Sequence, residues 1–76
     1  LVGYAIIATL LDVFVSATSR KFENTLTNYD KLVLNLLPES LRKPKETIYL
    51  RILTMCGYVA SLTDGFALQL YKKIKG

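Results

Sequence analysis

Apolar residues recur along this chain at helical spacing. In the opening run LVGYAIIATLLDVFVSA, residues 1–17, Tyr4, Ile7, Ala8, Leu11, Phe14 and Val15 share one side of a helix. Ile6, Leu10, Val13 and Ala17 make a second apolar stripe, and Thr9, Asp12, Ser16 and Ser19 a polar one. Apolar surface on this much of the circumference exceeds the roughly 100° stripe of an ordinary surface helix. A chain of 76 residues has little of its own with which to cover both stripes. The second stripe is therefore expected to pack on material outside the chain, either the rest of a longer protein or a partner subunit.

The periodicity breaks between Thr18 and Asp30, where Ser19, Asn24, Thr25, Thr27 and Asn28 are turn and cap formers. Asn28 or Asp30 is the expected cap of a short helix over 31–37. Its Leu32, Val33, Leu36 and Leu37 form an apolar face, and Pro38 ends it. A polar connector, ESLRKPK at 39–45, leads to a long helix over about 46–62. There Ile48, Ile52, Met55, Cys56, Val59 and Leu62 form an amphipathic stripe. Gly57 interrupts this helix at a cost of about 1 kcal/mol relative to Ala, which predicts a close helix crossing there. Thr63 and Asp64 read as caps of a last helix ending near Ile74. Phe66, Ala67, Leu70, Tyr71 and Ile74 face inward, and Lys72, Lys73 and Lys75 sit in the last turn, where cations suit the helix dipole. The expected fold is all-α: a single domain over 1–76, a small bundle of about four helices.

Composition narrows the chemistry. Ten Lys and Arg against six Asp and Glu give a net charge of +4, yet 51% of the chain is apolar, so it is not a disordered basic tail. There is no histidine, which removes the commonest general base and metal ligand. Cys56 is the only cysteine, so no internal disulfide forms; on its apolar stripe it reads as an inert, buried thiol. Asp12, Glu23, Asp30, Glu39, Glu46 and Asp64 include no pair at helical i, i+3 or i+4 spacing, and no Gly-rich phosphate loop is present. These residues give no catalytic, cofactor-binding or metal-binding set. Asp12 within the opening run, and the lack of basic residues before it, argue against a membrane span or a signal peptide. The chain begins Leu1-Val2-Gly3 inside an apolar run, and its only Met is Met55, so it reads as a segment of a longer polypeptide rather than a processed mature protein.

The cations gather as Arg42, Lys43 and Lys45 and as Lys72, Lys73 and Lys75. A solvated surface explains them; the alternative is a contact with phosphates, including nucleotides. No aromatic residues interleave with them, as single-stranded nucleic-acid binding would favour. Arg51, on the polar face of the long helix, is the first candidate for a phosphate or carboxylate contact.

The segment YVASLTDGFALQLY, from Tyr58 to Tyr71, resembles the C-terminal signature of the dGTP triphosphohydrolase family, which typically reads like D-Y-I-A-G-M-T-D-R-Y-A-L-x-L-Y. Tyr58, Ala60, Thr63, Asp64, Ala67, Leu70 and Tyr71 match as written. Leu10-Leu11-Asp12-Val13-Phe14 is similar to the family's L-L-D-x-F core, and Leu36-Leu37-Pro38 to its L-L-P ending, so the resemblance covers nearly the whole chain. It implies an accessory region that follows an HD-type catalytic core. In that family the core's His and Asp residues hold a divalent metal, Mg or Mn, and the enzyme cleaves a deoxynucleoside triphosphate to the deoxynucleoside and triphosphate. The implied partners are that N-terminal core and further copies in a homo-oligomer, and the implied location is the cytoplasm. Tyr58, Thr63, Asp64, Ala67 and Tyr71 are then signature residues, either structural or close to the nucleotide. Two positions depart from the family pattern: Gly57 stands where Asp is frequent and Gly65 where Arg is frequent, so no role of those side chains carries over. The alternative to this reading is a standalone helical interaction or nucleic-acid-binding module.

Overall fold

A computed structural model describes residues 3–42 and 47–76. Among the described residues four α-helices follow one another: α1 (Tyr4–Phe22), α2 (Asn28–Leu34), α3 (Ile48–Ser61) and α4 (Asp64–Lys75), with a 3-10 turn at Glu39–Leu41. No strand occurs among the described residues. The fold is an all-α bundle, as the periodicity predicts. Lys43, Pro44, Lys45 and Glu46, and with them part of the connector and the expected start of the third helix, lie outside the described residues, as do Leu1 and Val2.

The breadth of apolar surface on α1 has an explanation within the chain. α2, α3 and α4 each pack on α1. Leu10, Phe14 and Ala17 are 0% exposed at the centre of the core, joined by Val33 and Leu37 from the α2 region, Met55 and Val59 from α3, and Ala67, Leu70 and Ile74 from α4. Leu10 and Ala17 belong to the stripe expected to need outside cover, and Phe14 to the other. The chain's own helices thus cover Leu10 and Ala17, while Ile6 and Val13 are half-buried against the same core. A helix enclosed by three others needs apolar residues on more than one side. Exposure concentrates instead at its first turns, where Ala8 is exposed and Tyr4 is 91% exposed.

α1 runs past the expected break to Phe22 and closes with Asn24 in the left-handed region, at φ 61°. The Thr25 N–H donates to Arg20 O at 2.8 Å and the Asn24 N–H to Lys21 O at 3.2 Å. This pair of bonds is the Schellman arrangement, and Asn tolerates the left-handed conformation better than most residues.

α2 starts three residues earlier than the pattern suggests, because its cap is Thr27 rather than Asn28 or Asp30. Thr27 Oγ1 accepts from the Asp30 N–H, and Asp30 Oδ2 accepts from the Thr27 N–H, both at 3.1 Å. Asp30 also receives a two-pronged bond from α1: Arg20 Nε donates to Oδ2 at 2.6 Å and Arg20 Nη2 to Oδ1 at 2.7 Å. A carboxylate only 1% exposed is thereby paired and hydrogen-bonded, as a buried charge must be. The other end of the arrangement is tied by Tyr29, whose hydroxyl donates to Ile74 O in α4 at 3.1 Å.

Several inward assignments shift by one helical position. α2 ends at Leu34, before Pro38, and Leu32 points to solvent. Cys56 is exposed, not buried: the inner line of α3 runs through Met55 and Val59, and the residue after Met55 lies about 100° round the helix. Gly57 is not a crossing point, since a Cβ placed there would meet nothing within 4 Å. Phe66 in α4 is likewise half-exposed rather than core.

The Arg20 bonds hold the Asp30 carboxyl well below the usual carboxylate range, against the opposing effect of burial, and the Thr27 bonds add to the lowering. Asp30 therefore contributes stability that is complete above the unfolded-state pKa near 4 and is lost as pH falls toward the lower folded-state value. Urea unfolding across pH 2–7 tests this. Asp30→Asn is expected to cost about 2 kcal/mol at pH 7 and to flatten the decline in stability below about pH 5; an unchanged acid slope would contradict the assignment.

Candidate functional site

Tyr58, Thr63, Asp64 and Ala67 lie at the corner where α3 turns into α4, and Tyr71 lies one turn beyond Ala67 along α4. Tyr58, in the last turns of α3, meets Phe14 of α1 edge-on, with ring centroids 6.5 Å apart and planes at 77°. Partial burial pushes its phenol pKa up. Leu62 then leaves the helix in an extended conformation (ψ 142°), which turns the chain into α4. Thr63 caps α4, its hydroxyl accepting from the Phe66 N–H at 3.3 Å, and Asp64 places a carboxylate in the first turn, where the helix dipole favours it. Ala67 lies in the core against α1. Tyr71 is half-buried, with Lys75 Nζ 6.0 Å from the centre of its ring. Each of Tyr58, Thr63, Ala67 and Tyr71 has a structural task that accounts for its residue type.

Arg51 does not join this corner. It lines a pocket of about 150 Å³ to which α1, α2, α3 and the 3-10 turn all contribute. Among the described residues, Lys21, Lys31, Arg42 and Arg51 bring four cations to the wall, and no carboxylate lines it. Leu34, Leu37 and Met55 supply an apolar lining. Thr18, 3% exposed, and the half-buried Arg51 also line it, and Thr18 Oγ1 and Arg51 Nε are buried atoms without a hydrogen-bond partner among the described residues. Such atoms are uncommon in folded proteins, and each costs about 1–3 kcal/mol unless something satisfies it.

The sequence indicated Arg51 and, within a cationic group, Arg42, but not that Thr18, Lys21 and Lys31 join them in one pocket. Thr18 was legible as the start of a polar break. Its position four residues after Phe14 and eight after Leu10 sets a hydroxyl on the core stripe, and that was the available signal. Lys21, Lys31 and Arg42 are far apart in sequence, and only the packing of α1, α2 and the 3-10 turn brings them to one pocket.

The chain has no histidine, and no group of three His, Cys, Asp or Glu side chains suited to a metal occurs among the described residues. This donor set does not fit the His and Asp metal centre of an HD core, so no step of a metal-dependent cleavage is assigned to its residues. No helix among the described residues is long and apolar enough to cross a membrane. The chain matches none of the protein-family models, curated proteins or solved structures with which it was compared.

Two consequences are measurable. Thr63→Ala removes the acceptor for the Phe66 N–H and is expected to cost about 1 kcal/mol, with Thr63→Ser retaining most of it; equal melting temperatures for Thr63→Ala and the parent chain would contradict the capping role. Cys56 is expected to react stoichiometrically with an aromatic disulfide reagent in the folded state, at a rate close to that in urea. Protection of the folded protein by orders of magnitude would restore the buried reading.

Proposed function

We propose that the chain is the C-terminal accessory region of a dGTP triphosphohydrolase-like enzyme. It supports the catalytic core and the oligomer and performs none of the chemistry itself. The observation that carries this reading is the Tyr58–Tyr71 segment, which resembles the family signature as one α3–turn–α4 unit. The Phe14–Tyr58 contact supports it, because the aromatic residues of two separate resembling segments pack on each other. Further support comes from large apolar side chains left in solvent: Leu32, Tyr49 and Leu53, besides Tyr4, are all more than half exposed. An accessory region that docks on a neighbouring core would cover such residues.

In this reading the parent enzyme is cytoplasmic and acts in nucleotide metabolism. It adds water across dGTP or a related deoxynucleoside triphosphate to release the deoxynucleoside and inorganic triphosphate. The metal and its His and Asp ligands belong to the preceding core. Thr63, Ala67 and Tyr71 hold the α3–α4 corner in shape, and Tyr58 fixes that corner to α1.

The full-length parent protein, assayed with a panel of deoxynucleoside triphosphates and Mg²⁺ or Mn²⁺, is expected to release triphosphate, while residues 1–76 alone release none. Turnover by the isolated segment, or an open reading frame that begins at Leu1, would overturn the accessory role.

A further inference from the structure

Among the described residues, four cations with no carboxylate beside them, an apolar lining, and two buried unpartnered polar atoms share one pocket. We propose that this pocket binds the phosphoryl group of a small phosphate-bearing metabolite, with Thr18 Oγ1 and Arg51 Nε as its buried donors. The inference stands on the pocket alone and does not depend on the family reading.

The charge of the wall selects an anion. Its donor set favours phosphate over carboxylate. A carboxylate has two oxygens in one plane, which a single guanidinium satisfies. Here a hydroxyl from α1 and a guanidinium nitrogen from α3 line the same space, with Lys21, Lys31 and Arg42 around them. A phosphomonoester dianion presents three oxygens in three directions and matches donors drawn from separate elements. Each of the two orphaned atoms would gain an acceptor, and neither side chain would need to change helix face.

The size of the pocket limits the rest of the ligand. About 150 Å³ is below the roughly 300–1,000 Å³ of pockets that enclose drug-sized molecules. It accommodates one phosphoryl group on a short carbon skeleton, and Leu34, Leu37 and Met55 favour a skeleton that is apolar. The ligand is thus smaller than a nucleoside triphosphate, and the site is separate in chemistry from the metal-dependent cleavage assigned to the parent's core.

The test is a ¹⁵N NMR titration of the full chain with n-butyl phosphate, inorganic phosphate and pentanoate at constant ionic strength. Butyl phosphate is expected to produce saturable shifts at the Thr18 and Arg51 amides and at Arg51 Nε–H, with inorganic phosphate weaker and pentanoate weakest. Arg51→Met is expected to weaken butyl phosphate about tenfold or more, as loss of a charge-assisted hydrogen bond implies. Thr18→Val and Arg42→Gln are each expected to weaken it severalfold with unchanged helical circular dichroism, so the inference stays testable if Arg51→Met fails to fold. Pentanoate binding as tightly as butyl phosphate would overturn the phosphate assignment. Shifts that never saturate, or that spread equally over Lys72 and Lys73, would overturn the site.

Discussion

A helix with apolar residues around most of its circumference has to be enclosed, and the enclosure of α1 organises this molecule. Leu10, Phe14 and Ala17 lose all contact with water only because α2, α3 and α4 each pack on the same helix. Burial of side chains of this size contributes about 1.5–3 kcal/mol each for the larger ones, the dominant favourable effect in a domain this small. The polar devices act at the margins of that core. The Arg20–Asp30 pair and the Thr27 capping box fix where α2 leaves α1, and the Tyr29 hydroxyl ties α2 to the end of α4. Thr47 and Thr63 start α3 and α4 by the same capping chemistry, each accepting a backbone N–H three residues on.

This arrangement also explains which parts of the fold were legible in the sequence. Helix existence was legible because periodicity is local: Met55 and Val59, or Leu70 and Ile74, declare a face through their own spacing. The caps at Thr63 and the basic last turn of α4 were legible for the same reason. The true depth of each stripe was not. Cys56 and Phe66 lie beside the buried line rather than on it, and a rotation of about 100° separates the two outcomes. The interpretation of α1 needed tertiary information. Two apolar stripes on one helix are equally consistent with an absent partner and with three helices of the same chain, and only the packing distinguishes them. Asp30 posed a similar difficulty: its burial depends on Arg20, ten residues away on another helix.

The functional readings divide along the same line. The α3–α4 corner is one contiguous stretch, from Tyr58 to Tyr71, so its Thr63 cap and the Ala67 face were legible in the sequence. The cationic pocket was legible only in part, since its wall is assembled from α1, α2, the 3-10 turn and α3, and the sequence singles out Arg51 and Arg42 but not Thr18, Lys21 or Lys31. The two features occupy different parts of the bundle and make different demands. The corner is satisfied internally by a cap, a ring contact and core packing. The pocket retains two buried polar atoms that the described chain does not satisfy.

Enclosure of α1 by the chain's own helices is the central claim, and native-state hydrogen exchange measures it most directly. The amides from Leu10 to Thr18 are expected to exchange slowest in the molecule, with opening free energies equal to that of global unfolding and shared by the amides of Val59 and Leu70. If those α1 amides exchange faster than the amides of α3 or α4, or open independently of them, α1 is not the helix on which the others depend, and the account fails.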